Sequence, residues 1–425
     1  MNKIENLILG AGIAGLGAAY ALRKEGQSAL VVEKDATYGG LCGDIEIDGF
    51  RFDRFVHFTF TQNEEVNAIF KTSCRELIRH IPNPYNIYQR LWIKHPAQNN
   101  LFPLDEEEKA KIIQDFKARP EVDATYVPKN YEEWLRVQFG NYFAEHFPMV
   151  YTKKYWMKEA KDLRTEWVGN RVYQPSLDEV IIGSQTAEAP ITYYAKEMRY
   201  PQKGGYKALL KSMADVANIE YGMCVTEICP IEKRVRFANG REIEYGNIYS
   251  SLPLPVVIDS IKNVPDTVRD AVNQLECTSG YHISVALRTK NIPPYLWWYI
   301  YDEDILAARV YSPSLKSPDN VPEGCSSLQM EVYCKENEYT EQELIDGTVG
   351  KLLEMGIIKL EDILFTHVGF EKYANILFTE PIYRTRKIVR DWLTEQGIVT
   401  FGRFGEWDYL WSDQSLLSGL NILSN

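Results

Sequence analysis

The chain lacks a long apolar segment. No stretch approaches the roughly 20 consecutive apolar residues that a membrane-spanning helix needs, so no membrane partner is expected. The N-terminal sequence MNKIENLILGAGIAGL has no signal-peptide cleavage pattern, and glycines interrupt its apolar run. Together these absences predict a soluble, cytoplasmic protein.

Cysteine and positive charge are both in short supply. The seven cysteines include no CxxC pair, which argues against a disulfide framework and against a metal site. With 47 Lys and Arg against 59 Asp and Glu, the formal net charge is −12, which argues against a nucleic-acid partner. The six histidines are scattered along the chain, and no catalytic triad or protein nucleophile stands out.

Aromatic residues, in contrast, are abundant. They make up 12% of the chain, with 27 Tyr and 9 Trp. Tyr and Trp join a flat apolar body to a polar tip, which suits a buried site for a polar ligand. The 425 residues exceed what one simple core needs, which indicates two or three domains or one elaborated enzyme fold.

A nucleotide-binding motif lies close to the N-terminus. A buried strand is predicted over residues 4–9, and GAGIAG, a helix pattern and a second strand ending in Glu33 follow it. In this GxGxxG context Gly10 makes a tight turn, Gly12 lets the backbone approach a pyrophosphate, and Gly15 allows close helix–strand packing. The helix N-terminus suits the phosphates, and Glu33 suits ribose hydroxyls, which favours NAD or FAD over NADP.

A second glycine pair follows the acidic residue directly, in the run Tyr38-Gly39-Gly40-Leu41-Cys42. It resembles the extended fingerprint of FAD-containing amine-oxidase-like proteins. In that superfamily the pair lies beside the pyrophosphate and leads toward the flavin ring, whereas an NAD dehydrogenase usually continues into another helix. The cofactor is therefore predicted to be FAD.

The rest of the chain alternates between helical and strand patterns. Amphipathic patterns predict helices over 64–80, 104–120 and 131–147, whereas 280–335 alternates as an antiparallel sheet does. Asn239-Gly240 lies between alternating segments and predicts a hairpin. We therefore predict an α/β protein with a discontinuous Rossmann-like FAD-binding domain (1–62, 203–255 and 396–425), an inserted, mainly helical substrate domain (63–202) and an antiparallel-sheet substrate domain (256–395).

Four blocks, in the same order, resemble UDP-galactopyranose mutase, and more the eukaryotic type than the bacterial one. The blocks are PAQNNL (96–101), YEEW through YTKKYW (131–156), WVGNRV (167–172) and GRFGEW with DQS (402–415). The resemblance covers nearly the whole chain.

The resemblance implies a substrate site. Arg171 and Arg309 match an arginine pair that grips the substrate diphosphate, and two guanidinium forks suit a pyrophosphate because its oxygens accept charge-assisted hydrogen bonds. Tyr409 matches a tyrosine that also reaches the diphosphate. The further substrate positions are Gln98 and Trp156 on the uridine side, Tyr299, and Asn375, which stands where the family has a tyrosine.

The glycine motifs and the resemblance together imply a cofactor site. Gly402-Arg403 matches the closing contact with the isoalloxazine, and Val225 matches a position whose backbone holds the adenine. The full set assigned to FAD is Gly10, Ala11, Gly12, Ala14, Gly15, Glu33, Lys34, Gly39, Gly40, Leu41, Cys42, Val225, Gly402, Arg403, Asp408, Tyr409, Gln414 and Ser415.

The resemblance also implies an activity, the interconversion of the pyranose and furanose forms of a UDP-sugar. In the family, N5 of reduced FAD attacks the anomeric carbon and UDP leaves, so the protein supplies position and charge. NAD(P)H or another donor would reduce the flavin. Such an isomerase acts on a small nucleotide sugar and belongs to cell-surface polysaccharide biosynthesis.

The segment FRFDRFVHFTF (50–60) departs from the family pattern. It lies on the path toward the flavin ring, so Asp53 and His57 are expected near the isoalloxazine. The family has Gly-Gly-His after its aspartate, in a loop that moves on reduction, whereas Arg54-Phe55-Val56 precedes His57 here. Bulky and β-branched residues predict a stiffer loop.

Three functions stay open at this point. The first is a mutase of UDP-galactose or a related nucleotide sugar, with Arg171, Arg309 and His57 as catalytic residues. The second is an FAD oxidoreductase of the amine-oxidase or protoporphyrinogen-oxidase type. The altered loop favours this second function, or a changed sugar. The third is a non-catalytic FAD-binding protein, since fold alone does not establish activity.

Overall fold

Eighteen strands, counted over the residues that the structure describes, form two seven-stranded sheets and two two-stranded sheets. The computed structural model describes residues 3–123, 125–169 and 171–423, so Asn170 of the WVGNRV block lies outside the described residues. The strands are β1 (Ile4–Leu9), β2 (Ala29–Val32), β3 (Asp44–Ile47), β4 (Phe50–Asp53), β5 (Leu77–His80), β6 (Tyr85–Tyr88), β7 (Leu91–Lys94), β8 (Met198–Pro201), β9 (Asn218–Glu220), β10 (Val225–Cys229), β11 (Arg234–Phe237), β12 (Glu242–Ser250), β13 (Gly280–Leu287), β14 (Trp297–Ile300), β15 (Arg309–Tyr311), β16 (Ser326–Val332), β17 (Ile363–Glu371) and β18 (Ile398–Thr400).

Helices connect and cover these sheets. They are α1 (Ile13–Lys24), α2 (Glu64–Ser73), α3 (Glu106–Lys117), α4 (Tyr131–Phe139), α5 (Asn141–His146), α6 (Pro148–Trp156), α7 (Leu177–Gln185), α8 (Lys211–Ala214), α9 (Leu254–Asp259), α10 (Asp266–Val272), α11 (Pro313–Lys316), α12 (Glu341–Ile345), α13 (Lys351–Glu354), α14 (Ile382–Glu395), α15 (Gly402–Gly405) and α16 (Ser412–Leu420). Within the described part of the chain, none of them is long and apolar enough to cross a membrane.

The first seven-stranded sheet runs β10-β11-β12-β1-β2-β9, with β18 beside the end of β12. Its centre is parallel, because β1 pairs in parallel with β12 and β2, β2 with β9, and β12 with β18. Leu7, Ile8 and Leu9 of β1 are fully buried, as expected for a parallel strand covered on both faces. The strands come from three separate parts of the chain, which agrees with a discontinuous nucleotide domain. The domain limits themselves remain a prediction.

The second seven-stranded sheet runs β17-β13-β16-β15-β14-β6-β7. All its pairings are antiparallel except that of β6 with β14. Every residue of β13 and β16 is buried, so both faces of the central strands are covered. In this register Glu331 lies beside Arg309 on one side and His282 on the other. The predicted α/β class with a Rossmann-like domain is confirmed.

The segment after α2 corrects one prediction. The helix expected over 64–80 begins at Glu64, where the Asn63 side chain accepts a hydrogen bond from the Val66 N–H, but it ends at Ser73. Residues 77–94 then form β5, β6 and β7, and β6 extends the second sheet. The β6–β7 turn uses Gln89 and Arg90 at positive φ rather than glycine, so the sequence gives no hairpin signal there.

Candidate functional site

One cavity of about 640 Å³ is lined by residues of both large sheets and of the C-terminal segment. It gathers most of the predicted site residues. Those that line it are Gly10, Gly12, Ala14, Glu33, Lys34, Gly39, Gly40, Leu41, Cys42, His57, Val225, Arg309, Asn375, Gly402, Arg403, Tyr409 and Ser415. No group of three or more His, Cys, Asp or Glu side chains in the described ranges is arranged to hold a metal ion.

The glycine loop between β1 and α1 forms one end of the cavity. A Cβ on Gly15 would lie 1.9 Å from the Gly10 carbonyl oxygen, so only glycine permits this close approach. A Cβ on Gly12 would meet nothing within 4 Å, so open space lies above the loop. Helix α1 begins with neither a side-chain cap on Gly12 nor an acidic residue in its first turn. Its first N–H groups are therefore left for an anionic ligand.

Glu33 at the end of β2 holds this loop in place. One carboxylate oxygen accepts the Ala11 N–H at 2.8 Å, and the other accepts the Asp35 N–H at 3.0 Å. The side chain is 7% exposed and lines the cavity. Because a carboxylate has about four lone-pair sites, it can still accept ribose hydroxyls.

The second glycine pair packs onto the first. The Gly39 N–H donates to the Ala11 carbonyl at 2.9 Å, and Gly39 and Gly40 have φ of 126° and 56°. Only glycine adopts such angles freely. Cys42 follows, and burial raises the pKa of its thiol to about 12, so the thiol stays protonated and is a poor nucleophile.

The residues present therefore suit the adenosine diphosphate part of FAD. The open space above Gly12, the uncapped α1 N-terminus and the Glu33 carboxylate match a pyrophosphate and a ribose. Val225, with Met223 and Cys224, forms the cavity wall near this end of the first sheet.

The C-terminal segment closes the cavity from another side. The Gly402 N–H donates to Ser418 Oγ at 2.8 Å, and the Arg403 N–H donates to Ser415 Oγ at 3.1 Å. Four predicted cofactor residues do not line the cavity. Ala11 and Gly15 belong to the GAGIAG motif, Asp408 pairs with Arg386 at 3.0 Å, and Gln414 accepts the Trp411 N–H at 2.9 Å.

His57 lines the cavity as a neutral imidazole. Burial lowers its pKa to about 4, although the nearby Asp53 carboxylate favours the charged form. Its Nδ1 lies 2.9 Å from the Phe55 carbonyl oxygen, which only accepts hydrogen bonds, so Nδ1 carries the proton. The other ring nitrogen, Nε2, is therefore an acceptor. The ring stacks on Tyr206 with centroids 5.0 Å apart.

Asp53 is not among the residues that line the cavity, and its expected place near the isoalloxazine stays a prediction. It is 1% exposed and accepts hydrogen bonds from Lys316 Nζ, from the Tyr200 hydroxyl at 2.8 Å and from the Tyr206 N–H at 3.1 Å. Lys316 is also fully buried. Burial lowers its pKa, whereas the Asp53 carboxylate raises it. Asp53 lies on the same face of β4 as Arg51, and Lys316, Tyr200 and Tyr206 enclose its carboxylate.

Residues 54–57, which we call the anchored segment, are held at each position. Arg54 pairs with Asp35 at 3.0 Å and Glu371 at 3.4 Å. Phe55 stacks in parallel on Tyr333. The Val56 N–H donates to Glu331 at 3.2 Å.

Arg309 reaches the cavity from β15 but is already paired. Its Nε and Nη2 donate to one oxygen of Glu331 at 3.0 and 2.6 Å, while its Nη1 makes no hydrogen bond within the described residues. Burial alone would lower the pKa of Arg309, but the Glu331 carboxylate overrides burial and holds that pKa well above its usual range.

Asn375 and Arg403 form a second polar pair at the cavity. Arg403 Nη2 donates to Asn375 Oδ1 at 3.0 Å, which fixes the amide so that Nδ2 is its free end. That Nδ2 is buried and has no partner among the described residues, and neither has Arg403 Nε. Arg403 Nη1 is bound by the Leu410 carbonyl at 2.8 Å.

Arg171 does not line the cavity but supports residues that do. Its guanidinium lies 4.7 Å from the ring centroids of both Tyr409 and Trp411, and it donates to the Trp167 carbonyl at 2.7 Å. Trp411 also stacks on Tyr194, with centroids 5.6 Å apart. The arginine thus joins the C-terminal segment to the helical region.

Three further substrate predictions, Gln98, Trp156 and Tyr299, are not among the residues that line the cavity. Gln98 donates to the Tyr173 carbonyl at 2.7 Å. The Trp156 ring lies edge-on to Tyr409 at 5.5 Å. The Tyr299 hydroxyl lies 3.5 Å from that of Tyr193, which does line the cavity. Their substrate roles stay predictions.

Sequence reasoning missed Glu331, Tyr193, Tyr194 and Trp411. Glu331 sits in a strand predicted only as alternating, and no motif accompanies it. The aromatic runs YY (193–194) and YLW (409–411) stand out in the sequence. Nothing local in the sequence indicates that these segments, about 220 residues apart, line the same cavity.

Fold and site together define a Rossmann-like dinucleotide-binding protein. A family model described as an NAD(P)-binding Rossmann-like domain matches residues 8–73. The chain is 49% identical over 77 residues to an uncharacterized protein in the nifH2 3′ region of Methanothermococcus thermolithotrophicus, which covers 18% of this chain and 72% of that protein. The chain belongs to the family of that archaeal protein.

The chain is also 23% identical over 286 residues to phytoene desaturase of Fusarium fujikuroi. The match covers 60% of this chain and 48% of that enzyme. The match thus spans about half of the desaturase.

Solved structures define the fold more closely. A reduced UDP-galactopyranose mutase superposes over 99% of this chain and 95% of its own, with a TM-score of 0.92 and 22% identity. A putrescine oxidase bound to putrescine superposes over 100% of both chains, with a TM-score of 0.67 and 14% identity. The chain has the fold of UDP-galactopyranose mutase, and the predicted resemblance is confirmed at that level.

Proposed function

We propose that this protein is an FAD-dependent, UDP-galactopyranose mutase-like isomerase that interconverts the pyranose and furanose forms of a UDP-sugar. One observation carries the proposal: three donor groups on residues that line the cavity have no hydrogen-bond partner among the described residues. They are Arg309 Nη1, Asn375 Nδ2 and Arg403 Nε.

Such a donor set suits a diphosphate. Phosphate oxygens only accept hydrogen bonds, and guanidinium groups bind them with charge assistance. The amide of Asn375 would replace the hydroxyl of the family's tyrosine. The protein's part is to hold the leaving diphosphate while the sugar lies against the flavin.

The glycine loop, Glu33 and the C-terminal segment offer groups that suit FAD. The α1 N-terminus would hold the pyrophosphate, Glu33 a ribose, and the Gly402-Arg403 backbone the ring. When bound in the reduced form, FAD would supply the nucleophilic N5 for the anomeric carbon. Neutral His57 offers Nε2 as an acceptor beside that ring.

An FAD oxidoreductase acting on amines is the second candidate. The anchored segment favours it, because the mutase family has mobile glycines where Phe55 and Val56 stand. The donor set argues the other way, because a protonated amine placed beside Arg309 and Arg403 meets like charge.

Turnover under reducing conditions tests the proposal. The purified protein is reduced with dithionite under argon, supplied with UDP-galactofuranose, and its products are separated by chromatography. We expect UDP-galactopyranose to form, with no product from the oxidised protein. Absence of conversion together with oxygen-dependent oxidation of putrescine would support the second candidate instead.

A further inference from the structure

Glu331 is a carboxylate buried in the middle of the second sheet. Its side chain is 0% exposed. One oxygen accepts from Arg309 at 2.6 and 3.0 Å and from the Tyr333 hydroxyl at 2.8 Å. The other oxygen accepts the Val56 N–H at 3.2 Å. Neither the glycine motifs nor the substrate blocks include this residue.

Burial makes those partners necessary. A carboxylate without compensating donors is costly in a protein interior, and removing one partner of a buried pair destabilises strongly. Arg309 is the cation that compensates the buried Glu331 carboxylate, and the same carboxylate accepts the Val56 N–H. Replacing Arg309 should therefore weaken the hydrogen bond between the Val56 N–H and Glu331, although Arg309 and Val56 are not hydrogen-bonded to each other.

Arg309 and Val56 bind the same carboxylate from two different elements, strand β15 and the anchored segment. Arg309 lines the cavity, and its Nη1 has no hydrogen-bond partner within the described part of the chain. Val56 precedes His57 in the anchored segment, which lines the cavity near the glycine pairs. Phe55 stacks on Tyr333, whose hydroxyl bonds Glu331, so a second contact connects the segment to the same carboxylate.

We propose that Glu331 is a positioning residue that couples Arg309 to residues 54–57, so that ligand binding at Arg309 and the placement of His57 are energetically linked. The coupling is a property of the protein alone. Only the identity of its ligand, a nucleoside diphosphate, rests on the proposed function.

A double-mutant cycle that monitors the Val56 amide tests the coupling in the absence of UDP. Hydrogen–deuterium exchange of the Val56 amide is measured by mass spectrometry in the native holoprotein, Glu331→Gln, Arg309→Met and the double variant. We expect exchange to rise about tenfold in each single variant, since a hydrogen bond to a charged group is weakened. The double variant should exchange no faster than Glu331→Gln.

The controls separate coupling from general loosening. Glu108→Gln removes another buried carboxylate, one that accepts the Tyr88 hydroxyl at 2.7 Å outside the cavity, and should leave Val56 exchange unchanged. Arg309→Met exchange equal to native, or effects of the two single variants that multiply in the double variant, would overturn the proposal.

UDP then serves as the ligand probe. Saturating UDP should change Val56 exchange in the native protein by at least about threefold and leave it unchanged in Glu331→Gln. An equal response in both proteins would overturn the coupling. If UDP does not bind to the native protein, the proposed function is contradicted. The double-mutant cycle measured without UDP would then still test whether Glu331 couples Arg309 to Val56.

Discussion

At the scale of single residues, the proposed diphosphate site depends most on Arg309. It is held by Glu331 through Nε and Nη2 and keeps Nη1 for a ligand. Arg309→Met removes that donor and its charge, so UDP should bind about 10- to 100-fold more weakly, the worth of one charge-assisted hydrogen bond. Calorimetric titration measures the affinity.

The flavin absorption of the same variant serves as a check on folding, because Arg309 is not among the predicted cofactor residues. Arg269→Met, an exposed change on α10, is the matched control and should bind UDP like the native protein. Native-like UDP affinity in Arg309→Met would remove this residue from the substrate site.

His57 makes stability depend on pH. Its folded pKa of about 4 lies below the ordinary value of 6.5, so the unfolded chain binds a proton first as the pH falls. The contribution of His57 to stability is thus complete above about pH 6.5 and is lost toward pH 4, by on the order of 3 kcal/mol.

His57→Gln cannot titrate and should flatten that part of the profile in urea unfolding measured from pH 7 to pH 4. His95 and His282, whose pKa values burial lowers to about 3 and about 4, keep their own slope in both proteins. Identical slopes in native and variant protein would mean that His57 is not neutral when folded.

At the scale of elements, a buried ion pair fastens strand β4 to helix α11. Lys316 and Asp53 are both fully buried, and Tyr200 bonds the same carboxylate. Lys316→Met leaves the Asp53 charge uncompensated and should lower the free energy of unfolding by about 3–5 kcal/mol.

Urea unfolding measures that loss. Lys211→Met breaks the exposed pair with Asp215 instead and should leave the unfolding midpoint nearly unchanged. If both variants unfold at the native midpoint, the buried pair contributes nothing to stability.

The anchored segment is the second feature at this scale. Arg54, Phe55 and Val56 each have a partner outside the segment. Phe55 and Val56 stand where the resemblance places the two glycines of the mutase family. We therefore expect its Cα atoms to move by less than about 1 Å between crystals of the oxidised and reduced protein. A double Phe55→Gly, Val56→Gly variant should move more, and a large shift in the native protein would contradict the stiffening.

At the scale of the whole molecule, motif-based predictions succeeded where spacing is local. GAGIAG, Glu33 and Gly39-Gly40 lie within 31 residues, and one strand–helix–strand unit brings them together as predicted. The α/β class followed from the same periodicity.

Long-range relations could not be predicted in this way. Glu331 meets Val56 across 275 residues, and Asp53 meets Lys316 across 263. Nothing local distinguishes such a carboxylate from an exposed one. The strands of residues 77–94 were missed for the same reason, because β6 owes its place to pairing with the distant β14.

The central claim is that Arg309, Asn375 and Arg403 form a diphosphate site, and comparing the affinities of UDP and uridine tests it most directly. Both ligands present the same base and ribose, so the difference in their affinities reports the diphosphate alone. Calorimetric titration of the holoprotein should show UDP binding at least about 100-fold more tightly than uridine, as two charge-assisted contacts require. Equal affinities for UDP and uridine, or no binding of either, would contradict a diphosphate site at Arg309, Asn375 and Arg403.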